Sequence, residues 1–131
     1  ANCNVILSDA PVGSPIVNEP NVLMVMNNPS LDKYENAVQP GGKIFLDSAL
    51  IGRKVVRTDV EACYVPATKL AMEMGAPTLA NMILLGALIA KTGCVQDSSL
   101  AEALHKVIPA RKADLFDLNM QALQVGKDYK A

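Results

Sequence analysis

The sequence predicts an α/β fold: a three-layer, Rossmann-like domain with a mainly parallel sheet, helices on both faces and a C-terminal half that is mostly helical. Three observations point there. Val22–Met26 is a continuous apolar run, the pattern of a strand covered on both faces. A short polar helical pattern and a Gly-Gly turn separate it from a second apolar run at Lys43–Leu46, giving strand, crossover, strand. After Val65 the apolar periodicity lengthens to that of helices.

Taken in order, Asn4–Ser8 is a short apolar run expected to form a first strand. Asp9, Pro11, Gly13 and Pro15 make its exit loop. Val22–Met26 is expected to be a central strand. The helix that follows opens at Pro29 or Ser30, with Ser30 as the cap acceptor and Leu31, Tyr34, Ala37 and Val38 as its apolar stripe. Pro40 and the Gly41-Gly42 pair end it. Lys43–Leu46 forms the next strand, and Lys54–Arg57 and Ala62–Val65 are weaker strand candidates flanking Asp59 and Glu61.

Four helices fit the remainder. Pro66 suits a first turn and Gly75 a left-handed exit around ATKLAMEM. Thr78 can cap the long apolar helix that runs to Lys91 and ends at Gly93. Ser99 and Glu102 have capping-box spacing, with Pro109 closing that helix. The last helix, about 111–125, presents Leu115, Leu118, Ala122 and Val125 on one face, with Gly126 as its exit. LANMILLGALIAKTG is apolar nearly all round and should be buried against the sheet or another subunit, its Ala80, Gly86, Ala87 and Ala90 letting another backbone approach.

Composition narrows the function. The 131 residues suit one domain over 1–131 with a real core, and the 50% apolar and 19% charged fractions fit a globular chain rather than a disordered one. A net charge of -1, no long basic run, 4% aromatic residues and no Trp argue against a nucleic-acid partner. The longest uncharged stretch near the middle, Gly75–Ala90, is shorter than the ~20 residues a bilayer span needs. No membrane association is expected, and a cytoplasmic location is the default.

Cys3, Cys63 and Cys94 match no metal or cluster spacing and read as buried small hydrophobes. His105 has no nucleophile or second His near it in sequence and reads as a surface or half-buried helix histidine. Asp32 with Glu35, Asp59 with Glu61 and Asp114 with Asp117 lie in polar stretches and read as solvated. No GxGxxG, Walker loop, GxSxG or HExxH occurs.

Two strand ends stand out, because ligands of open α/β sheets lie beyond the carboxyl ends of strands. Asn27 and Asn28 follow one strand and can be turn formers or ligand or partner contacts. Asp47 and Ser48 follow the other, with Asp47 read either as a cap or turn residue or as a crevice residue. Asn81 places an amide in the apolar helix, where it must pair with a loop or a neighbouring chain. No residue set carries catalysis, so the chain reads as a supporting or binding domain.

In order and spacing, ANCNVILSDAPVGSPIV, VLMVMNNPSLDKY, PGGKIFLDS, VPATKLAMEMGAPTLANMILLGALI and TGCV resemble the gamma subunit of 2-oxoacid:ferredoxin (acceptor) oxidoreductases. The likeness is to the 2-oxoglutarate and branched-chain 2-oxoacid branches. In that family a Gly-rich GxGGQG segment precedes the point where this sequence starts, and Ala1 is not a natural start, so an N-terminally incomplete domain is expected.

The resemblance implies a complex that oxidatively decarboxylates a 2-oxoacid to an acyl-CoA. Coenzyme A (CoA) is its co-substrate, and ferredoxin or a similar carrier its electron acceptor. Thiamine diphosphate, Mg and iron-sulfur clusters are expected on partner subunits, alpha, beta and in some members delta. It also implies that Asn27, Asn28, Asp47, Ser48 and Asn81 line a CoA crevice or subunit contacts, and leaves a homodimer open to the isolated chain. The rival readings are a non-catalytic assembly domain and a stand-alone small-molecule-binding domain.

Overall fold

A computed structural model describes residues 2–14 and 16–129. Three parallel strands, β1 (Val22–Val25), β2 (Lys43–Asp47) and β3 (Glu61–Val65), form one sheet in the order β1-β2-β3. The register pairs Met24 with Phe45 and Phe45 with Cys63. Side chains therefore alternate in matching rows. Ile44 and Leu46 face one apolar layer with Val25, Leu31, Val38 and Ile51. Phe45, Cys63 and Val65 face the other, with Ala71, Ile83, Leu84 and Ala122.

Helix α1 (Asn28–Tyr34) and a 3-10 turn at Glu35–Ala37 cover the first face. The second face carries α2 (Ala67–Glu73), α3 (Ala80–Thr92) and α5 (Ala113–Asp128), while α4 (Asp97–Val107) lies outside against α5. This is the expected three-layer α/β arrangement with a helical C-terminal half. The left-handed residues are glycines: Gly41 ends the crossover, Gly75 follows α2 and Gly93 caps α3.

Several elements depart from expectation for identifiable reasons. Asn4–Ser8 forms no strand: Val5 is 71% and Leu7 65% exposed, and no strand among the described residues offers that segment a ladder. Pro15, expected in its exit loop, lies outside the described residues. Among the described residues β2 is the central strand and β1, expected at the centre, lies at one side of the sheet. An uninterrupted apolar run reports covered faces, whereas centrality depends on paired edges, which side chains do not encode. Lys54–Arg57 alternates between half-buried and exposed residues as a strand would, yet makes no ladder.

Helix ends shift as well. Asn27, rather than Ser30, caps α1, its Oδ1 accepting from the Ser30 amide at 2.9 Å. The first turn of α3 has no side-chain cap from Thr78, since a 3-10 turn at Pro77–Leu79 leads into it. α4 starts at Asp97, ahead of the Ser99–Glu102 pair. A 3-10 turn at Ala110–Lys112 precedes α5, and Gly126 sits inside that helix rather than at its exit. The buried side of α5 is Asn119, Ala122, Leu123 and Gly126, while Leu115 is 39% exposed.

Gly86 and Gly126 explain how α3 and α5 approach. A Cβ on Gly86 would stand 2.1 Å from the Leu123 carbonyl oxygen, and one on Gly126 would stand 1.8 Å from that of Ile83. The two backbones are in direct contact. The small-residue stripe of α3 thus receives a backbone, and the backbone belongs to the same chain.

Candidate functional site at the carboxyl end of the sheet

Because all three strands run the same way, Asn27 and Asn28 after β1, Asp47 and Ser48 at the end of β2, and Pro66 after β3 come to one end of the sheet. Helix α3 runs back across the second face. Lys91 near its carboxyl end pairs with Glu61 at the start of β3 at 2.8 Å, so its first turn, with Asn81, points toward the same end as the rim. The residues singled out in the sequence therefore share one end of the domain.

Their individual environments differ. Asn27 and Asn28 are exposed and Ser48 is half-buried. Asn28 has no side-chain hydrogen bond among the described residues, whereas the Asn27 oxygen is committed to the α1 cap. Asn81 is exposed, its Oδ1 accepting from the Met82 amide at 2.9 Å, so the expected buried amide is in fact on the solvent side of α3. Near-uniform apolarity concealed which face of that helix is outward.

Asp47 is fully buried and is a fold-making residue. Its carboxylate accepts from Ala49 N at 3.0 Å, from Thr68 N at 3.2 and 3.3 Å, and from Thr68 Oγ1 at 2.5 Å. One side chain thereby closes the turn after β2 and caps α2, a helix whose own preceding residue, Pro66, offers no side-chain acceptor. Ser48 N donates to Val65 O at 2.9 Å, tying the turn to β3. The cap or turn reading of Asp47 is the one its contacts support.

A second buried carboxylate lies in a stretch expected to be solvated. Glu35 is 3% exposed; Arg53 Nη2 donates to its Oε1 at 2.8 Å and Val56 N to its Oε2 at 2.7 Å. Asp32, expected to be solvated beside it, receives Arg53 at 2.8 Å. Arg57 donates to the carbonyls of Glu35 and Val38 and pairs with Asp59 at 2.7 Å. Burial pushes the Glu35 carboxyl upward, but the Arg53 hydrogen bond, the Val56 and Arg57 amides and the Arg53 charge outweigh it and hold it below its ordinary 4.5. A carboxyl lowered on folding stabilises the fold above its unfolded value, and that contribution fades as pH falls through the folded value.

Elsewhere, a cleft of about 360 Å³ runs along the open edge of β3, with Phe45, Cys63, Ala87 and Gly126 in its wall and Glu61, Lys91 and Lys127 at its mouth. The Cys63 thiol, pushed up chiefly by burial, is protonated and packs as a small hydrophobe. Cys3 and Cys94, expected to do the same, are exposed. His105 is exposed and stacks on Phe116 with ring centroids 3.9 Å apart. Glu61 is paired with Lys91 and Lys43, while Asp114 and Asp117 are exposed as expected. Among the described residues no group of three or more His, Cys, Asp or Glu could hold a metal ion, and no helix is long and apolar enough to cross a membrane.

Comparison with known proteins aligns this geometry with one group. A family model described as pyruvate ferredoxin/flavodoxin oxidoreductase matches residues 1–129. The ketoisovalerate oxidoreductase subunit VorA of Methanothermobacter thermautotrophicus is 35% identical over 131 residues, 98% of this chain and 27% of the relative. The 2-oxoglutarate synthase subunit KorC of Methanocaldococcus jannaschii is 32% identical over 107 residues, 80% of this chain and 57% of the relative. The chain thus spans about a quarter of the first relative and little more than half of the second.

Among solved structures, the gamma subunit of a keto/oxoacid ferredoxin oxidoreductase from Geobacter sulfurreducens superposes with a TM-score of 0.73 at 26% identity, covering 82% of this chain and 62% of that one. The 2-oxoglutarate:ferredoxin oxidoreductase of Magnetococcus marinus, solved with 2-oxoglutarate, coenzyme A and succinyl-CoA bound, shares the fold at a TM-score of 0.72. It is 22% identical, and the match covers 82% of this chain and 19% of that one.

Proposed function

The chain belongs to the pyruvate ferredoxin/flavodoxin oxidoreductase family, and from that premise we propose that it serves as the gamma-type domain of a 2-oxoacid:ferredoxin oxidoreductase. It helps to bind CoA and scaffolds partner chains; its complex converts a 2-oxoacid to an acyl-CoA. In this reading thiamine diphosphate, Mg and the iron-sulfur clusters belong to the alpha, beta and, where present, delta subunits, and ferredoxin or a similar carrier takes the electrons in the cytoplasm. The observation that carries the reading is the convergence of Asn27, Asn28, Ser48 and the Asn81 end of α3 beyond the carboxyl ends of a parallel sheet.

The donor set suits part of the CoA molecule. Neutral amides and a hydroxyl can both donate and accept, which complements the two amides of a pantetheine arm. Arg53, in the loop after Ser48, is committed to Glu35 and Asp32 and is not counted in this donor set. Exposed Val5, Leu7 and Ile16 favour burial against partner chains over a stand-alone binding domain.

Asn28→Ala and Ser48→Ala are expected to raise KM for CoA in the assembled complex by roughly three- to tenfold, the worth of a neutral hydrogen bond, with kcat little changed. Unchanged KM in a correctly assembled complex would remove both from the site. Asn27→Ala is expected to add a stability loss of about 1 kcal/mol, since it also deletes the α1 cap.

A further inference from the structure

Residues 48–60 join β2 to β3 without a helix or strand of their own, an uncommon length of irregular backbone inside a compact domain. The segment lies on the α1 face, where Ile51 is buried and Val55 and Val60 pack beside Leu31 and Val38. Its first turn is tied to the strands, Ser48 N donating to Val65 O and Ile51 N to Asp47 O, but beyond it the amides of Val55, Val56 and Arg57 rest on side chains. Val55 N donates to the Tyr64 hydroxyl at 3.0 Å, and Val56 N and Arg57 N donate to Glu35 Oε2 at 2.7 and 3.4 Å.

The dependence runs both ways. Arg57 Nη1 reaches back to the Glu35 and Val38 carbonyls, so the segment completes the end of the α1 layer that in turn holds it. The charged groups at this junction are Arg53, Lys54, Arg57 and Asp59 from the segment and Asp32 and Glu35 from the α1 layer, with the Lys54 ammonium over the Tyr64 ring of β3. By contrast α3 and α5 are locked by the backbone contact at Gly86 and Gly126, on the opposite side of the sheet.

We infer that residues 49–60 form a latched strap that opens as one unit from the α1 face while the helical layer stays folded, with the Glu35 carboxylate as the latch. Local openings of this kind cost less than global unfolding where backbone donors rest on few groups. The strap begins beside Ser48, so its opening reshapes the carboxyl-end rim. The lowered carboxyl of Glu35 agrees with a latch that is closed at neutral pH and released only as pH falls through that lowered value.

The test is amide hydrogen exchange on the full-length polypeptide carrying Glu35→Gln, with Arg53→Gln as a second variant that removes the latch's cation from a partly exposed position. At neutral pH the amides of Val55, Val56 and Arg57 should exchange together, about tenfold or more faster in Glu35→Gln and to a smaller extent in Arg53→Gln. Protection at Ile83–Ala87 of α3 should be unchanged in both. Strap protection unaffected in both variants, or lost equally across α3 and α5, overturns the inference; if Glu35→Gln does not fold, Arg53→Gln alone decides by the same criterion.

Discussion

Gly126→Ala is expected to destabilise this domain by at least about 3 kcal/mol and to lower the thermal midpoint by roughly 10 °C. An alanine in a helix interior would ordinarily gain about 1 kcal/mol over glycine. Here the added Cβ would lie 1.8 Å from Ile83 O and 2.9 Å from Ala87 N, both backbone atoms that cannot step aside unless α3 and α5 separate. Separation would open the layer containing Ile83, Leu84 and Ala122, all fully buried. Gly52→Ala is the control: nothing stands within 4 Å of its Cβ position, and the change should be close to neutral. Calorimetry or denaturant unfolding of the two variants reads the difference.

Asp47→Ala should cost about 3 kcal/mol, because it strips the acceptor from three donors at once. Ala49 N, Thr68 N and Thr68 Oγ1 all depend on that carboxylate. Each buried donor left without a partner is worth about 1–3 kcal/mol, relieved in part where water can enter. Asp47→Asn keeps one acceptor oxygen and should lose roughly half as much. Denaturant midpoints measure both, and the pattern separates scaffold from site: Asp47 variants should lower stability with KM for CoA nearly unchanged, the reverse of Asn28→Ala and Ser48→Ala.

The two buried carboxylates show where sequence reasoning reached and where it stopped. Asp47 is legible in the sequence as a strand-end residue open to a cap or turn role or to a crevice role, and its three donors identify the former. Glu35 was not visible: its donors come from residues 18–22 positions later, and its polar neighbours resemble a solvated helix face. The nearest hint was Arg53 and Arg57 flanking Val55, which places two guanidinium groups on the inner side of an alternating segment.

Gly126 failed for a related reason. Near the end of an apolar stripe a glycine fits the C-cap rule, but here the requirement is close approach by α3, a contact made across the fold rather than along it. The β1-α1-β2 unit was legible because crossover, turn glycine and apolar runs are local signals. Edge pairing is not local, and that is why β1 was expected at the centre and Asn4–Ser8 in a strand. Among the rim residues, position along the chain was informative, whereas the outward facing of Asn81 depended on which side of α3 the sheet and α5 would cover.

Contact between the carboxyl-end rim and CoA, as proposed above, is read by hydrogen exchange of the assembled complex with and without saturating CoA. The expected result is slowed exchange at Asn28–Leu31 and Ser48–Ile51, with the β3-edge cleft around Cys63 and Lys91 unchanged. Slowed exchange confined to partner chains or to the β3 edge, with the rim segments unaffected, would contradict it.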